Sequence, residues 1–177
     1  MDMKKLMFSG LFFVSAMSGI AFAQKNGDDK IKANVVNFKF AAGENAIVTA
    51  KKGGVEASGN GVLIRLDDAV LDVVGGYPVR IANGIYDPRS KTLRVNGSVK
   101  VLRTNASAQQ SLGEPVDAHD EPIDLTCKKG KLQRNGIPTP KSSTCIGEGA
   151  RMTCNADDSA TFNFSDPTCS GFQDPAG

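Results

Sequence analysis

The segment GIYDPRSKTLRVNGSVKVL, residues 84–102, combines a tight turn with a strand pattern. Asp87 and Pro88 are typical of a type I turn, because proline presets φ at the second turn position and aspartate caps the turn. Beyond the turn, apolar side chains fall on every second position, as in a strand with one buried face. These apolar residues are Leu93, Val95, Val99 and Val101. The segment therefore predicts antiparallel strands joined by a turn.

The same alternation extends over residues 31–103, with turn signals about every 8 to 12 residues. No segment before residue 104 has the apolar period and the caps of a helix. We expect an all-β fold: an antiparallel curled sheet, as a jellyroll or a sandwich, followed by a disulfide-stapled C-terminal β extension.

Residues 31–40 alternate in a way that predicts two faces. One face would carry Val36, Phe38 and Phe40, and the other Ile31, Ala33 and Val35. Val79, Ile81 and Ile85 are expected in phase on a later strand. Turns are predicted at residues 51–54, 67–68 and 75–76, where glycine and aspartate pairs interrupt the pattern.

The N terminus resembles a cleaved signal peptide, residues 1–23. Lys4 and Lys5 precede an apolar run that is shorter than the roughly 20 residues of a membrane span, and Ala21-Phe22-Ala23 fits a cleavage site. We expect cleavage near Ala23 and a periplasmic or secreted protein, with an uncleaved anchor as the alternative. No second long apolar stretch follows, so we expect no transmembrane span in the mature chain.

The mature chain would carry almost no net charge. Loss of residues 1–23 leaves 154 residues with 19 basic and 18 acidic side chains. A nucleic-acid binder usually shows a strong basic excess, so no nucleic-acid partner is predicted. We expect residues 24–30 to be disordered, 31–103 to form the jellyroll-like domain, 104–122 a polar loop, and 123–177 a cysteine-containing segment that is either a separate module or part of the same sheet.

All four cysteines lie in the last third of the chain: Cys127, Cys145, Cys154 and Cys169. An even number in an exported chain predicts two disulfides, with three possible connectivities. Sequential pairing, Cys127 with Cys145 and Cys154 with Cys169, is our preferred connectivity. Their spacing contains no C-x-x-C pair, so no zinc site is predicted.

Catalytic residue patterns are missing from the sequence. The single histidine, His119, lies in an acidic loop with Asp117 and Asp120, and no nucleophile motif accompanies it. Asp67 and Asp68 are adjacent, which suits a turn better than the paired carboxylates of a glycosidase. We therefore predict no enzyme activity, no cofactor and no metal.

Residues 79–102, VRIANGIYDPRSKTLRVNGSVKVL, resemble a repeat of the periplasmic lipopolysaccharide-transport (organic-solvent-tolerance, OstA-like) β-jellyroll family. The residues that carry the resemblance are Ile81, Ala82, Tyr86, Asp87, Pro88, Leu93, Val95, Gly97, Val99 and Val101. The four-cysteine segment is not part of that family's pattern.

The resemblance implies a jellyroll whose two sheets leave an apolar groove for acyl chains. Its open edges would join other envelope β-domains by edge-strand pairing. The groove candidates that it implies are Val62, Ile64, Val79, Ile81, Leu93, Val95, Val99 and Val101.

The predicted function is therefore that of an exported, non-enzymatic envelope protein that binds or relays a lipopolysaccharide-like lipid in an apolar groove between β-sheets. The alternative is a disulfide-stapled structural or interaction subunit of an envelope or surface complex, in which the same residues form a closed core.

Overall fold

The computed structural model describes residues 22–26, 30–58, 61–103 and 121–176, and every regular element within them is a strand. The strands are β1 (Phe22–Asn26), β2 (Lys30–Ala41), β3 (Ala46–Ser58), β4 (Gly61–Val73), β5 (Val79–Asp87), β6 (Thr92–Val95), β7 (Val99–Val101), β8 (Ile123–Lys128), β9 (Lys131–Arg134), β10 (Ile137–Pro138), β11 (Ser143–Glu148), β12 (Ala150–Cys154), β13 (Ala160–Asn163) and β14 (Ser170–Phe172). No helix in this described part is long and apolar enough to span a bilayer.

The strands form one antiparallel sheet that divides at β5. The main path runs β1-β2-β3-β4-β5-β6-β13-β12-β11-β14. The second half of β5 pairs with β6, at Gly84–Asp87, whereas its first half pairs with β7, at Val79–Ile81. From β7 a second branch continues through β8 and β9 to β10. The sheet curls into a half-barrel, which confirms the predicted all-β, curled antiparallel fold.

The side-chain alternation of β4 shifts by one residue halfway along the strand. Ile64 and Leu66 are buried before Asp68, and Ala69 and Leu71 are buried after it. Asp68 has a φ of 50°, a left-handed conformation that interrupts the two-residue repeat of extended backbone. In β2, β3 and β5 the pattern of buried and exposed side chains shifts at the positions opposite Asp68. The strands keep the same pairing register on both sides of this shift.

This shift corrects the expected faces of β2 and β5. Asn37 has a φ of 49°, so Val35 and Phe38, each 8% exposed, both face the core, while Val36 is 40% exposed. The prediction that these two sets lie on opposite faces is wrong. The predicted phase of Ile85 is also wrong, since this side chain is 50% exposed.

Two of the predicted turns lie inside strands instead. Residues 51–54 belong to β3 and residues 67–68 to β4. Gly53 is required by packing rather than by a turn, because a Cβ there would lie 2.8 Å from Cζ of Phe38 and would also meet the Arg65 carbonyl oxygen. The turn at residues 75–76 is present.

Aromatic rings fill the space where the curled sheet faces itself. Phe40 on β2 lies 5.1 Å from Tyr86 on β5, centroid to centroid, although the two residues lie at different levels of the strand register. The Tyr86 hydroxyl donates a buried 2.8 Å hydrogen bond to the Ala42 carbonyl oxygen. Phe164 packs edge-on against Tyr86 and stacks on Phe162. The end of β2 is thereby held over β5 and β13.

Two disulfides join the described strands, but not in the expected sequential pairs. Cys127 pairs with Cys154 and Cys145 with Cys169, with Cα–Cα distances of 5.3 and 5.4 Å. The first bridge links β8 to β12, and thus the two branches of the sheet. The sequential prediction is wrong because the curl of the sheet brings β8 of one branch against β12 of the other, so that cysteines distant along the chain meet.

The C-terminal segment joins the same sheet as the N-terminal strands. β13 pairs with β6 through Leu93 and Phe162, and β8 pairs with β7. At the N terminus, Phe22–Asn26 form β1, which pairs with β2. The sequence predicts disorder for residues 24–30, a range that includes part of this strand. The predicted signal peptide up to residue 21, and residues 104–120 of the predicted polar loop, lie outside the described residues.

Candidate functional site

The eight groove candidates all lie on the inner face of the curled sheet. Seven of them are buried, with exposures between 0% and 7%. Val62 is partly buried and packs against the same core. A lipid chain could therefore contact most of these side chains only where the core around them separates.

Close packing accounts for this filled core. At Gly84 a Cβ would lie 2.8 Å from Cδ1 of Leu93 and 3.3 Å from Cδ1 of Ile81, so only hydrogen leaves room for these two side chains. Leu66 and Val95 flank Gly84 in the same row across the sheet and are fully buried. Around Gly84 the interior is therefore filled by side chains at close packing distance.

The inner face is incompletely covered at one end of β2, β3 and β4. In the strand register, Ile31 pairs with Ala57 and Ala57 with Val62; in the next row, Ala33 pairs with Val55. All share the inner face with buried Val35 and Ile64, because side chains two apart in a strand point the same way. Ile31 is nevertheless 51% exposed, and the other four are half-buried. We call these five residues, Ile31, Ala33, Val55, Ala57 and Val62, the open-end strip.

Sequence reasoning missed four members of the open-end strip and found only Val62. The alternation did assign Ile31 and Ala33 to one face, so part of the signal was present. It could not show that this face continues into the core beyond the shift at Asn37, since that depends on one backbone torsion.

Charged side chains of the same strands lie on the outer face. Asp68 forms ion pairs with Lys51 at 2.5 Å and with Arg80 at 3.0 Å. The hydrogen bonds that Lys51 and Arg80 donate to its carboxylate lower the pKa of Asp68. Arg65 pairs with Asp67 at 3.7 Å. The inner face is left to apolar side chains and the Tyr86 hydroxyl, whose pKa is raised mainly by burial.

Three cavities among the described residues have volumes of 450, 410 and 260 Å³. The two larger ones share Glu44 and Asn45 of the β2–β3 turn and contain none of the groove candidates. The smallest contains Ile81, beside Asp68, Arg80 and Lys100. These cavities have mixed polar and apolar linings, which do not match an acyl chain.

The residues considered for catalysis are not brought together in the described part of the chain. Asp67 and Asp68 are occupied by the ion pairs above. His119, Asp117 and Asp120 lie outside the described residues. Within the described residues, no group of three or more histidine, cysteine, aspartate or glutamate side chains could hold a metal ion.

Comparison of the chain with protein-family models, with curated proteins and with solved structures gives no match.

Proposed function

We propose that this is an exported, non-enzymatic protein of the cell envelope, periplasmic or secreted, that binds or relays lipid through its acyl chains. The observation that carries the proposal is the open-end strip, an apolar inner surface that stays exposed where it leaves the filled core. The two disulfides support an oxidising compartment, as a cleaved signal near Ala23 would require.

The open-end strip offers an acyl chain a surface that water now covers. Burial of apolar area contributes about 25 cal/mol per Å², so a chain laid across Ile31 and Val62 would be retained without any charged contact. Ile64 follows Val62 on the same face and leads toward the core. Lipopolysaccharide-like lipid, which the resemblance implies, remains the proposed ligand class.

Neighbouring residues on β4 provide a matched test. Val62 lies on the inner face, whereas Leu63 points outward and is 42% exposed. Val62→Asp should lose lipid that co-purifies with the wild type, because a charge opposes burial of the acyl chain. Leu63→Asp should retain it. Native mass spectrometry of protein purified from envelopes, and again after lipid A or phospholipid is added, measures the bound mass.

A second pair guards against unfolding of the Val62 variant. Ile31→Asp is placed at a half-exposed position and should remain folded, with Ile47→Asp, 40% exposed on the outer face, as its control. Circular dichroism and intact disulfides verify the fold. A wild-type protein that refuses lipid, or an Ile31→Asp variant that binds it normally, contradicts the proposal.

The alternative, a structural or interaction subunit, is favoured by one further observation. β14 (Ser170–Phe172) is the last strand of the main path, and among the described residues its ladder partner is β11 alone. An edge strand of this kind can accept a strand from another β-domain. In the same mass spectra, lipid-free protein that forms defined oligomers or complexes would support this alternative.

A further inference from the structure

The hairpins β8–β9 and β9–β10 form a rigid edge that carries lysines at one end. Lys129 and Gly130, with φ of 50° and 71°, join β8 to β9, and Asn135 and Gly136, with φ of 51° and 77°, join β9 to β10. Two consecutive residues with positive φ are typical of the tight type I′ turn. The neighbouring Cys127–Cys154 bridge fixes this edge to the rest of the sheet.

Three lysines of this edge, Lys128, Lys129 and Lys131, form no ion pair with an acidic side chain of the described residues, whereas nine other cations do. Nine ion pairs within 4 Å neutralise Lys32, Lys51, Arg65, Arg80, Arg94, Lys100, Arg103, Arg134 and Arg151. Lys128, Lys129 and Lys131 are exposed and take part in none of those formed among the described residues. Asp158 accepts the backbone N–H of Lys129 at 2.5 Å, so one negative charge lies beside three positive ones.

The apolar end of the same edge is formed by Ile137, the most exposed large hydrophobic side chain of the described residues at 68%, and by exposed Pro138. The chain then returns along β9: the Thr139 N–H donates to the Leu132 carbonyl, and the Leu132 N–H donates to the Lys141 carbonyl. Lys141 is exposed beside the lysine end. We call Lys128, Lys129, Lys131, Ile137, Pro138 and Lys141 the basic edge.

We propose that the basic edge docks the folded protein onto the surface of an anionic phospholipid bilayer. Clustered lysines are attracted to anionic headgroups, and an exposed isoleucine at the other end of the same edge can enter the boundary with the acyl chains. Charge complementarity favours a membrane, and the apolar tip favours it over a soluble polyanion, which would contact only the lysines. The inference goes beyond lipid binding in the half-barrel, because it uses a different surface.

Vesicle sedimentation with the full-length mature protein tests the proposal. Vesicles of phosphatidylglycerol and phosphatidylcholine should bind it at 0.1 M salt and release it as salt rises, whereas pure phosphatidylcholine should not bind it. Each lysine near an anionic surface contributes about 1 kcal/mol, so Lys128→Gln with Lys131→Gln should weaken partitioning about 30-fold.

The matched control removes the same charge elsewhere. Lys39→Gln with Lys52→Gln changes two exposed lysines of β2 and β3 that form no ion pair within 4 Å among the described residues, and should leave vesicle binding unchanged. Ile137→Ser should weaken binding while the lysines remain, and heparin binding should not follow that change. The proposal would be overturned if the Lys39/Lys52 variant lost as much vesicle binding as the Lys128/Lys131 variant. It would also be overturned if the wild-type protein bound neutral vesicles equally well, or bound heparin but no vesicles. Val62→Asp should not alter vesicle binding, so failure here is separate from failure of lipid binding in the half-barrel.

Discussion

Asn37 and Asp68 determine which side chains of the long strands reach the core. Both are short polar residues that tolerate left-handed backbone, and their φ values of 49° and 50° shift the alternation of β2 and β4. Without the shift, Phe38 and Phe40 would lie on the face opposite Val35. One torsion in each strand thus lets both halves of the strand contribute to a single interior.

Substitutions at Asn37 test this role. Glycine accepts positive φ without cost, so Asn37→Gly should leave the free energy of unfolding nearly unchanged. Asn37→Val should lower it by about 1–2 kcal/mol, because a β-branched residue is strained in the left-handed region. Urea unfolding followed by circular dichroism gives both values. Equal midpoints for the two variants would show that the torsion is not enforced.

The carboxyl of Asp166 makes stability depend on pH. Hydrogen bonds from Thr168, and then from Arg151, hold the pKa of Asp166 at about 2, below its ordinary value of 3.8. Because the folded-state pKa is the lower one, the stabilisation is present above pH 4 and is lost as the pH falls through 2. At neutral pH it is fully present.

Asp166→Asn should therefore be less stable than the wild type at pH 7 and equal to it near pH 2. Urea midpoints measured across this range follow the convergence. Asp72→Asn, at an exposed carboxylate with no ion pair among the described residues, should lie close to the wild type throughout. A constant gap for Asp166→Asn down to pH 2 would contradict the assignment.

At the level of elements, alternation predicted the strands well and their interruptions less well. The hairpin at Asp87 formed as expected, and the Arg89 N–H caps it with a 2.9 Å hydrogen bond to the Asp87 carboxylate. The glycines at 53–54 and the aspartates at 67–68 imitate turn signals, yet they lie inside strands. A glycine can be required by a turn or by close packing, and Gly53 is required by its packing against Phe38. Local sequence does not show which of these two reasons applies.

The sequence predicts which side chains of the candidate site face inward, but not whether they leave an open groove. Val79, Ile81 and Val99 are inward-facing, as their alternation indicates, and the register pairs Ile81 with Val99 and Val79 with Val101. Whether the facing side chains leave a groove depends on residues far along the chain, such as Phe162 and Phe164. Such non-local packing has no signature in a single strand, so sequence alone could not place the opening at Ile31.

For the whole molecule, the disulfides hold together strands that are distant in sequence. Each closes a loop, of 27 residues for Cys127–Cys154 and 24 for Cys145–Cys169. Closure of such loops in the unfolded chain contributes about 3 kcal/mol per bridge. Cys127→Ser with Cys154→Ser should lower the free energy of unfolding by about this amount, and so should Cys145→Ser with Cys169→Ser.

The connectivity can be read from non-reduced peptides. Trypsin separates Cys127, Cys145 and Cys154 but leaves Cys154 and Cys169 on one fragment, so Asp-N is needed to cut before Asp157 and Asp166. Digestion with both enzymes should give fragments joining Cys127 to Cys154 and Cys145 to Cys169. A fragment joining Cys127 to Cys145 would disprove the pairing.

The pairing of β6 with β13 has a consequence for how the chain folds. Leu93 lies beside Phe162, so a ribosome that has made the whole of β1 to β7 still lacks the strand that covers β6. Contacts between segments this distant form slowly, because the entropy of closing a long loop is lost before the contacts stabilise the chain. The core is thus completed only after synthesis reaches Ala160–Asn163. Until that point, the edge of β6 that β13 covers stays open on the nascent chain.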